Sequence, residues 1–194
     1  MDLRSYHSKR RVTLAARAAR GRGPAALMGL LTLIAGALVT ARQPADMEAH
    51  FKRVFPAATA FSSKFETPPH FEAYVTEPRT GRRVLAGLVF WTTDLEPLER
   101  GYGGPIRILV GMDTSGVLTG IEVVSHREPY GPTSIDLPGY AAQFSGKDIR
   151  DPFRLGEDIA AVSRASITTS SATRAVRNSA RRLARQLLTP RQER

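Results

Sequence analysis

From Pro24 to Ala41 the chain runs for eighteen residues without a charge. At helical rise such a stretch reaches about 27 Å, just enough for a hydrocarbon core of about 30 Å. Arg10, Arg11, Arg17, Arg20 and Arg22 precede it, and Asp46 and Glu48 follow. Positive-inside bias then places the leader in the cytoplasm and everything after the stretch across the membrane. Val39-Thr40-Ala41 also reads as a small-residue cleavage site, so a removed signal peptide competes with a retained anchor. A buried core helix is a third reading, since the run lacks a polar face. The first two readings both export residues 42–194. They divide the chain into a basic cytoplasmic leader (1–23), a transmembrane anchor or signal peptide (24–41) and an exported domain (42–194). The expected location is the inner membrane, with the C-terminal domain facing the periplasm.

The net charge of +10 would suggest nucleic acid if it were spread over the domain. It is not: residues 1–23 carry seven Arg or Lys against Asp2, and residues 174–194 carry seven Arg against Glu193. Each end is therefore +6 and the middle is about −2. A basic leader before an apolar run is a topology feature, and no nucleic-acid partner is expected. The chain has no cysteine, which excludes disulfides, thiolate zinc sites and cysteine-bound clusters. Histidines 7, 50, 70 and 126 show neither metal-ligand spacing nor a neighbouring nucleophile motif.

Within the exported part, apolar Met47, Phe51, Val54 and Phe55 recur at helical spacing, and Pro56 ends the run. Phe71–Glu77 and Val84–Thr93 read as strands around a Pro78-Arg79-Thr80-Gly81 turn. Pro105–Met112 and Val117–Ser125 read as a second hairpin around Asp113-Thr114-Ser115-Gly116. Residues 126–139 form a long Pro/Gly-rich loop, and Tyr140–Phe144 a short helix. From Thr168 or Ser170 to Leu188, apolar Ala172, Val176, Ala180, Leu183 and Leu187 share one stripe opposite arginines. The expected fold class is α+β: an N-terminal transmembrane anchor followed by a single antiparallel-sheet domain with flanking helices.

The segment Val162-Ser163-Arg164-Ala165-Ser166-Ile167-Thr168-Thr169 puts hydroxyls where a helix starts, with unpaired N–H groups and the positive end of the helix dipole. Upstream lie Gly101-Tyr102-Gly103-Gly104, a strand ending in Gly111-Met112-Asp113, and His126-Arg127-Glu128-Pro129. Taken singly these are ordinary. A Ser/Thr run caps a helix, His126 is a loop histidine, Glu128 beside Pro129 is a solvated acid, and Phe90, Trp91 and Tyr102 are core or rim aromatics. In this order and spacing, over about residues 45–188, they resemble the periplasmic FMN-binding domain family. The His-x-Glu-Pro sequence is similar to that of its NosR-like branch, the nitrous-oxide-reductase regulators. Related members are the flavin-carrying subunits of Rnf complexes and of the sodium-pumping NADH:quinone reductase.

The family's closing motif reads Ser-Gly-Ala-Thr, and a flavin transferase joins FMN to the Thr hydroxyl as a phosphoester. Here Ser163-Arg164-Ala165-Ser166 aligns with it, replacing Gly by Arg164 and the acceptor Thr by Ser166. An alternative alignment on Ser170-Ser171-Ala172-Thr173 makes Thr173 the acceptor. The resemblance implies cofactor-binding roles for Ser163, Arg164, Ala165, Ser166, Thr168, Thr169, Thr173, Tyr102, His126 and Glu128, with no catalytic residue and no metal. It implies FMN as the cofactor, and as partners the membrane, redox proteins and a flavin transferase. The function implied is a membrane-tethered periplasmic flavoprotein electron carrier, accessory to a periplasmic metalloenzyme such as nitrous oxide reductase. The alternative is a flavin-free binding or assembly module at the membrane, for which the altered motif argues.

The charge step across residues 24–41 makes the topology testable. A phosphatase that is active only outside the cytoplasm, fused after Arg194, is expected to be active. An inactive fusion, with a cytoplasmic reporter active at the same point, overturns the orientation.

Overall fold

Two central segments are nearly unbroken apolar runs, and such strands are stable only when both of their faces are covered. The computed structural model describes residues 45–188 and supplies both covers. The elements are α1 (Ala45–Val54), β1 (Ala60–Phe61), β2 (Phe65–Glu66), β3 (Pro69–Thr76), β4 (Arg83–Trp91) and α2 (Thr92–Leu95). They continue with β5 (Arg107–Asp113), β6 (Leu118–Ser125), a 3-10 turn (Gly131–Thr133), α3 (Pro138–Ala142) and α4 (Ser166–Leu187). The sheet is antiparallel in the order β1-β3-β4-β5-β6, with β2 pairing the start of β3. The α+β class expected from the sequence is the observed one. Residues 1–44, which include the 24–41 segment, lie outside the described residues. Among the described residues no helix is long and apolar enough to cross a membrane.

Register decides which cover each side chain meets. Leu88 pairs with Met112 and Phe90 with Val110, and these face the core shared with Val176, Ala180 and Leu183 of α4. Val89 pairs with Gly111 and Trp91 with Leu109, and the larger side chains of these pairs face Phe51, Val54 and Phe55 at the α1 end. The approach of α1 is close enough to require glycine in the sheet. A Cβ on Gly111 would lie 2.3 Å from the Val54 carbonyl oxygen, and one on Gly87 would lie 2.5 Å from the Phe55 ring. The free Val54 carbonyl at the helix end accepts a bond from the Thr119 hydroxyl at 2.6 Å.

Both expected hairpins form. At Asp113–Gly116 the Asp113 carboxylate accepts the N–H groups of Ser115 and Val117 at 2.8 and 2.9 Å, and Gly116 takes φ +87°. The strand expected to reach Thr93 ends two residues earlier. The Thr92 hydroxyl stands in for a ladder group, donating to Ile106 O at 3.4 Å and accepting from Ile108 N–H at 3.3 Å, so the backbone is free to turn into α2.

Helix α4 begins at Ser166, earlier than the periodicity suggests, because its first turns are buried through hydroxyl-bearing and small residues. Ala172, Val176, Ala180 and Leu183 are fully buried, but Leu187 is 40% exposed, so the stripe ends one turn short of expectation. Leu183→Ala should lower the unfolding free energy by about 2–5 kcal/mol, as a cavity-forming core truncation. Leu187→Ala should stay within about 0.5 kcal/mol. Denaturant unfolding of the two variants checks both, and equal losses would return Leu187 to the core.

Candidate functional site

Three segments distant in sequence meet at the start of α4. The first is the Gly101–Gly104 turn, closed by Gly101 N–H donating to Gly104 O at 2.8 Å. The second is Glu128, whose side chain is buried despite its loop position, contrary to a solvated acid. Its Oε2 accepts Tyr102 N–H at 3.0 Å and its Oε1 accepts Gly103 N–H at 2.7 Å. The third is the first turn of α4, from which the Thr168 hydroxyl donates to Glu128 Oε2. Glycine at 101 is a steric requirement: a Cβ there would lie 2.4 Å from the Glu128 carboxylate.

These contacts frame a cleft of about 340 Å³ lined by Tyr102, Tyr130, Arg164, Ala165, Ser166, Ile167 and Thr168. Tyr102 is 76% exposed, Ile167 61% and Tyr130 51%. Large apolar faces left open beside a polar backbone corner suit a flat aromatic ligand. Sequence reasoning alone does not single out Tyr130 or Ile167. An aromatic directly after His-x-Glu-Pro in a long loop is the available pointer to Tyr130, and Ile167 resembles an ordinary helix residue.

The segment before α4 departs from ordinary helix starts. Its cap residue is Ala165, which makes no side-chain capping bond, and the first turn holds no acidic residue. The first-turn N–H groups therefore have no side-chain cap, and the carboxylate that reaches this turn, Glu128, meets the Thr168 hydroxyl. Arg164 adopts φ +67°, a left-handed conformation that costs a non-glycine residue about 1 kcal/mol or more. Ser163, Arg164 and Ser166 are exposed.

The neighbouring hydroxyls are committed elsewhere. Thr168 is bound to Glu128, and Thr169 Oγ1 donates to Ala165 O at 2.9 Å. Thr173 is 1% exposed, with its hydroxyl 3.1 Å from Tyr140 OH. Burial raises the Tyr140 phenol above its ordinary value, against a smaller lowering by that hydrogen bond. Thr173 thus faces the core and does not line the cleft, which removes the space an acceptor there would need.

His126 also lies behind the cleft and not in it. Its Nδ1 accepts Glu128 N–H at 3.0 Å, which puts the ring proton on Nε2, 2.8 Å from Asp136 Oδ1. A Cβ on Gly131 would lie 2.0 Å from the ring. The ring therefore packs under the turn that carries Tyr130, and it fixes the 126–136 loop. Phe90 and Trp91 belong to the two cores, Trp91 with Arg107 over its ring at 4.0 Å, so neither forms a wall of the cleft.

Two further carboxylates gather donors outside the cleft's lining. Asp158 accepts Phe153 N–H at 3.0 Å, Arg154 N–H at 2.6 Å and the Lys147 ammonium at 2.9 Å. Burial pushes its pKa up, but these donors together outweigh burial and hold it below the ordinary value. Glu99 meets Arg174 at 2.7 Å and the Ser171 hydroxyl at 3.0 Å, and again the donors outweigh burial.

Residues 101–181 match the family model of the FMN-binding domain. A subunit of the ion-translocating oxidoreductase complex of Vibrio vulnificus (strain YJ016) is 35% identical over 88 residues, 40% of this chain and 42% of that protein. The chain thus spans less than half the length of that curated relative. This segment of the chain is an FMN-binding domain, related to that oxidoreductase component, and its cofactor is FMN. The cleft fits the cofactor's chemistry: the uncapped helix start, Arg164 and the Ser166 hydroxyl suit a phosphate, and Tyr102, Tyr130 and Ile167 offer flat apolar contacts.

The depressed carboxyl groups set an acid limit. Because their folded-state pKa values lie below the unfolded ones, their stabilisation is complete above the ordinary carboxyl range and is lost as pH falls through the folded values. Asp158→Asn should lower the unfolding free energy at pH 7 by about 1–3 kcal/mol, the scale of bonds to a charged group. The gap to wild type should narrow below about pH 4. A pH series of denaturant midpoints tests this, and a gap that widens with acid contradicts it.

Proposed function

We propose that residues 42–194 form a membrane-tethered periplasmic flavoprotein electron carrier in which FMN is phosphoester-linked to Ser166. In this reading residues 1–23 stay in the cytoplasm and residues 24–41 are the tether. The observation that carries the linkage is the positive φ of Arg164 two residues before the exposed Ser166. A backbone of that hand is one that glycine, the residue of the family motif at this position, adopts without steric cost. The positive φ therefore supports the alignment on Ser163–Ser166, which puts Arg164 at the position of the motif's glycine. Ser170–Thr173 lies within α4, its Thr hydroxyl already engaged with Tyr140.

Bound FMN supplies one-electron chemistry, and the protein supplies orientation and electrostatics. Arg164 and the first-turn N–H groups of α4 would hold the phosphate through charge-assisted bonds. Tyr102, Tyr130 and Ile167 would flank the ring system, leaving one edge open to a partner. A flavin transferase attaches the cofactor, and redox proteins donate and accept the electron. The relative's place in an ion-translocating oxidoreductase complex supports a membrane-bound electron-transfer assembly. The His126–Pro129 sequence supports the NosR-like reading, an accessory to a periplasmic metalloenzyme such as nitrous oxide reductase.

Intact mass after co-expression with a flavin transferase tests the linkage. Wild type and Ser166→Thr should carry the added mass of one FMN phosphoester. Ser166→Ala should lack it and fold normally, because that hydroxyl caps no helix bond. Thr173→Ala should keep it. Flavin lost from the Thr173 variant but kept in the Ser166 variant would move the attachment to Thr173. A wild type never loaded under these conditions would favour the flavin-free module.

A further inference from the structure

Glu128 joins the Gly101–Gly104 turn to the first turn of α4, and it does so with acceptors turned away from solvent. The residue is 4% exposed, and its two oxygens receive Tyr102 N–H, Gly103 N–H and the Thr168 hydroxyl. Those are protein donors on both walls of the cleft, the glycine turn on one side and the first turn of α4 on the other. We propose that Glu128 is a positioning residue: it acts on the flavin through Tyr102 and the start of α4, not as a ligand of FMN.

The geometry explains why this one carboxylate controls Tyr102. The Tyr102 side chain is 76% exposed, so little packing orients it and its direction is set by its backbone. That backbone sits directly on residues 127 and 128, since a Cβ at Gly103 would lie 2.1 Å from Arg127 O and one at Gly101 2.4 Å from Glu128 Oε1. The preceding part of the loop has its own tether, Glu99 on Arg174 and Ser171. Among the described residues, the Gly101–Gly104 turn is hydrogen-bonded through its internal bond and through Glu128. Loss of the carboxylate should therefore free the turn while leaving the loop's base in place.

An amide cannot replace the carboxylate. It brings one acceptor oxygen, and its NH2 group would face a second backbone N–H, donor against donor. Aspartate is one methylene too short to span both backbone donors and Thr168.

This inference rests on the reading that the cleft takes FMN, so the test has a flavin-free arm and a flavin arm. In flavin-free protein, Glu128→Gln should speed amide hydrogen exchange at Tyr102 and Gly103 at least tenfold, with Ile108 and Val110 in β5 unchanged. In titrations that follow quenching of FMN fluorescence, its Kd should rise at least tenfold, while Leu187→Ala, at the opposite end of α4 and outside the cleft, stays within threefold of wild type in both arms. Glu128→Asp should behave like Glu128→Gln, and it decides the matter if the glutamine variant does not fold. Unchanged exchange at Tyr102 and Gly103 overturns the inference. Faster exchange with unchanged Kd also overturns it, because the latch would then be structural only. If wild-type protein itself fails to quench FMN, the reading of the cleft falls and this inference with it. Quenching in wild type that is matched by the Glu128 variants sinks the inference alone.

Discussion

Strands β4 and β5 carry alternate side chains into two separate cores, and the whole domain is arranged around keeping both faces of that pair dry. Leu88, Phe90, Ile108, Val110 and Met112 go to the side of α4, and Val89, Trp91 and Leu109 go to the side of α1. Burial of apolar area at about 25 cal/mol per Å² is the driving term for such an arrangement. Its cost is steric. The α1 end can approach only because Gly87 and Gly111 have no side chains there, which also makes the register of β4 on β5 hard to shift.

With α4 fixed on the sheet by Val176, Ala180 and Leu183, its N-terminus has a defined place, and the chemistry collects there. The hydroxyl groups of this region divide by their partners. Thr168, Thr169 and Thr173 are buried and hydrogen-bonded within the protein, while Ser163 and Ser166 are exposed. A buried hydroxyl that gives up its bond is costly, so only the exposed ones can exchange water for a ligand without disturbing the fold. The left-handed Arg164 between them is a local strain maintained by the surrounding packing.

Three carboxylates act as clamps, two of them on backbone. Glu128 and Asp158 each receive two backbone N–H groups, and Glu99 receives Arg174 and Ser171. Loops otherwise lacking regular structure thereby acquire fixed positions, which a cofactor site needs more than it needs additional stability. The loop of residues 126–136 is held in the same manner by His126, its tautomer set by Glu128 N–H and its proton directed to Asp136.

Periodicity and turn chemistry in the sequence were enough for the α+β class, both hairpins, α1 and most of α4, because those depend on local rules: alternation, helical spacing, and Asp or Gly at turns. The order Gly101-Tyr102, His126-x-Glu128, Ser163–Ser166 likewise marked the FMN-binding domain. What the sequence could not contain was the set of distances between those segments. Thr92 ending β4, Leu187 emerging into solvent and Glu128 being buried each depend on a partner far along the chain: Ile106 and Ile108, the edge of the packed layer, and Tyr102 with Thr168. The same is true of which hydroxyl is open. Ser166 and Thr168 are equivalent polar residues in the sequence, two apart on one helix. Tertiary packing turns one toward solvent and the other onto a buried carboxylate, because a helix presents only one face to the core.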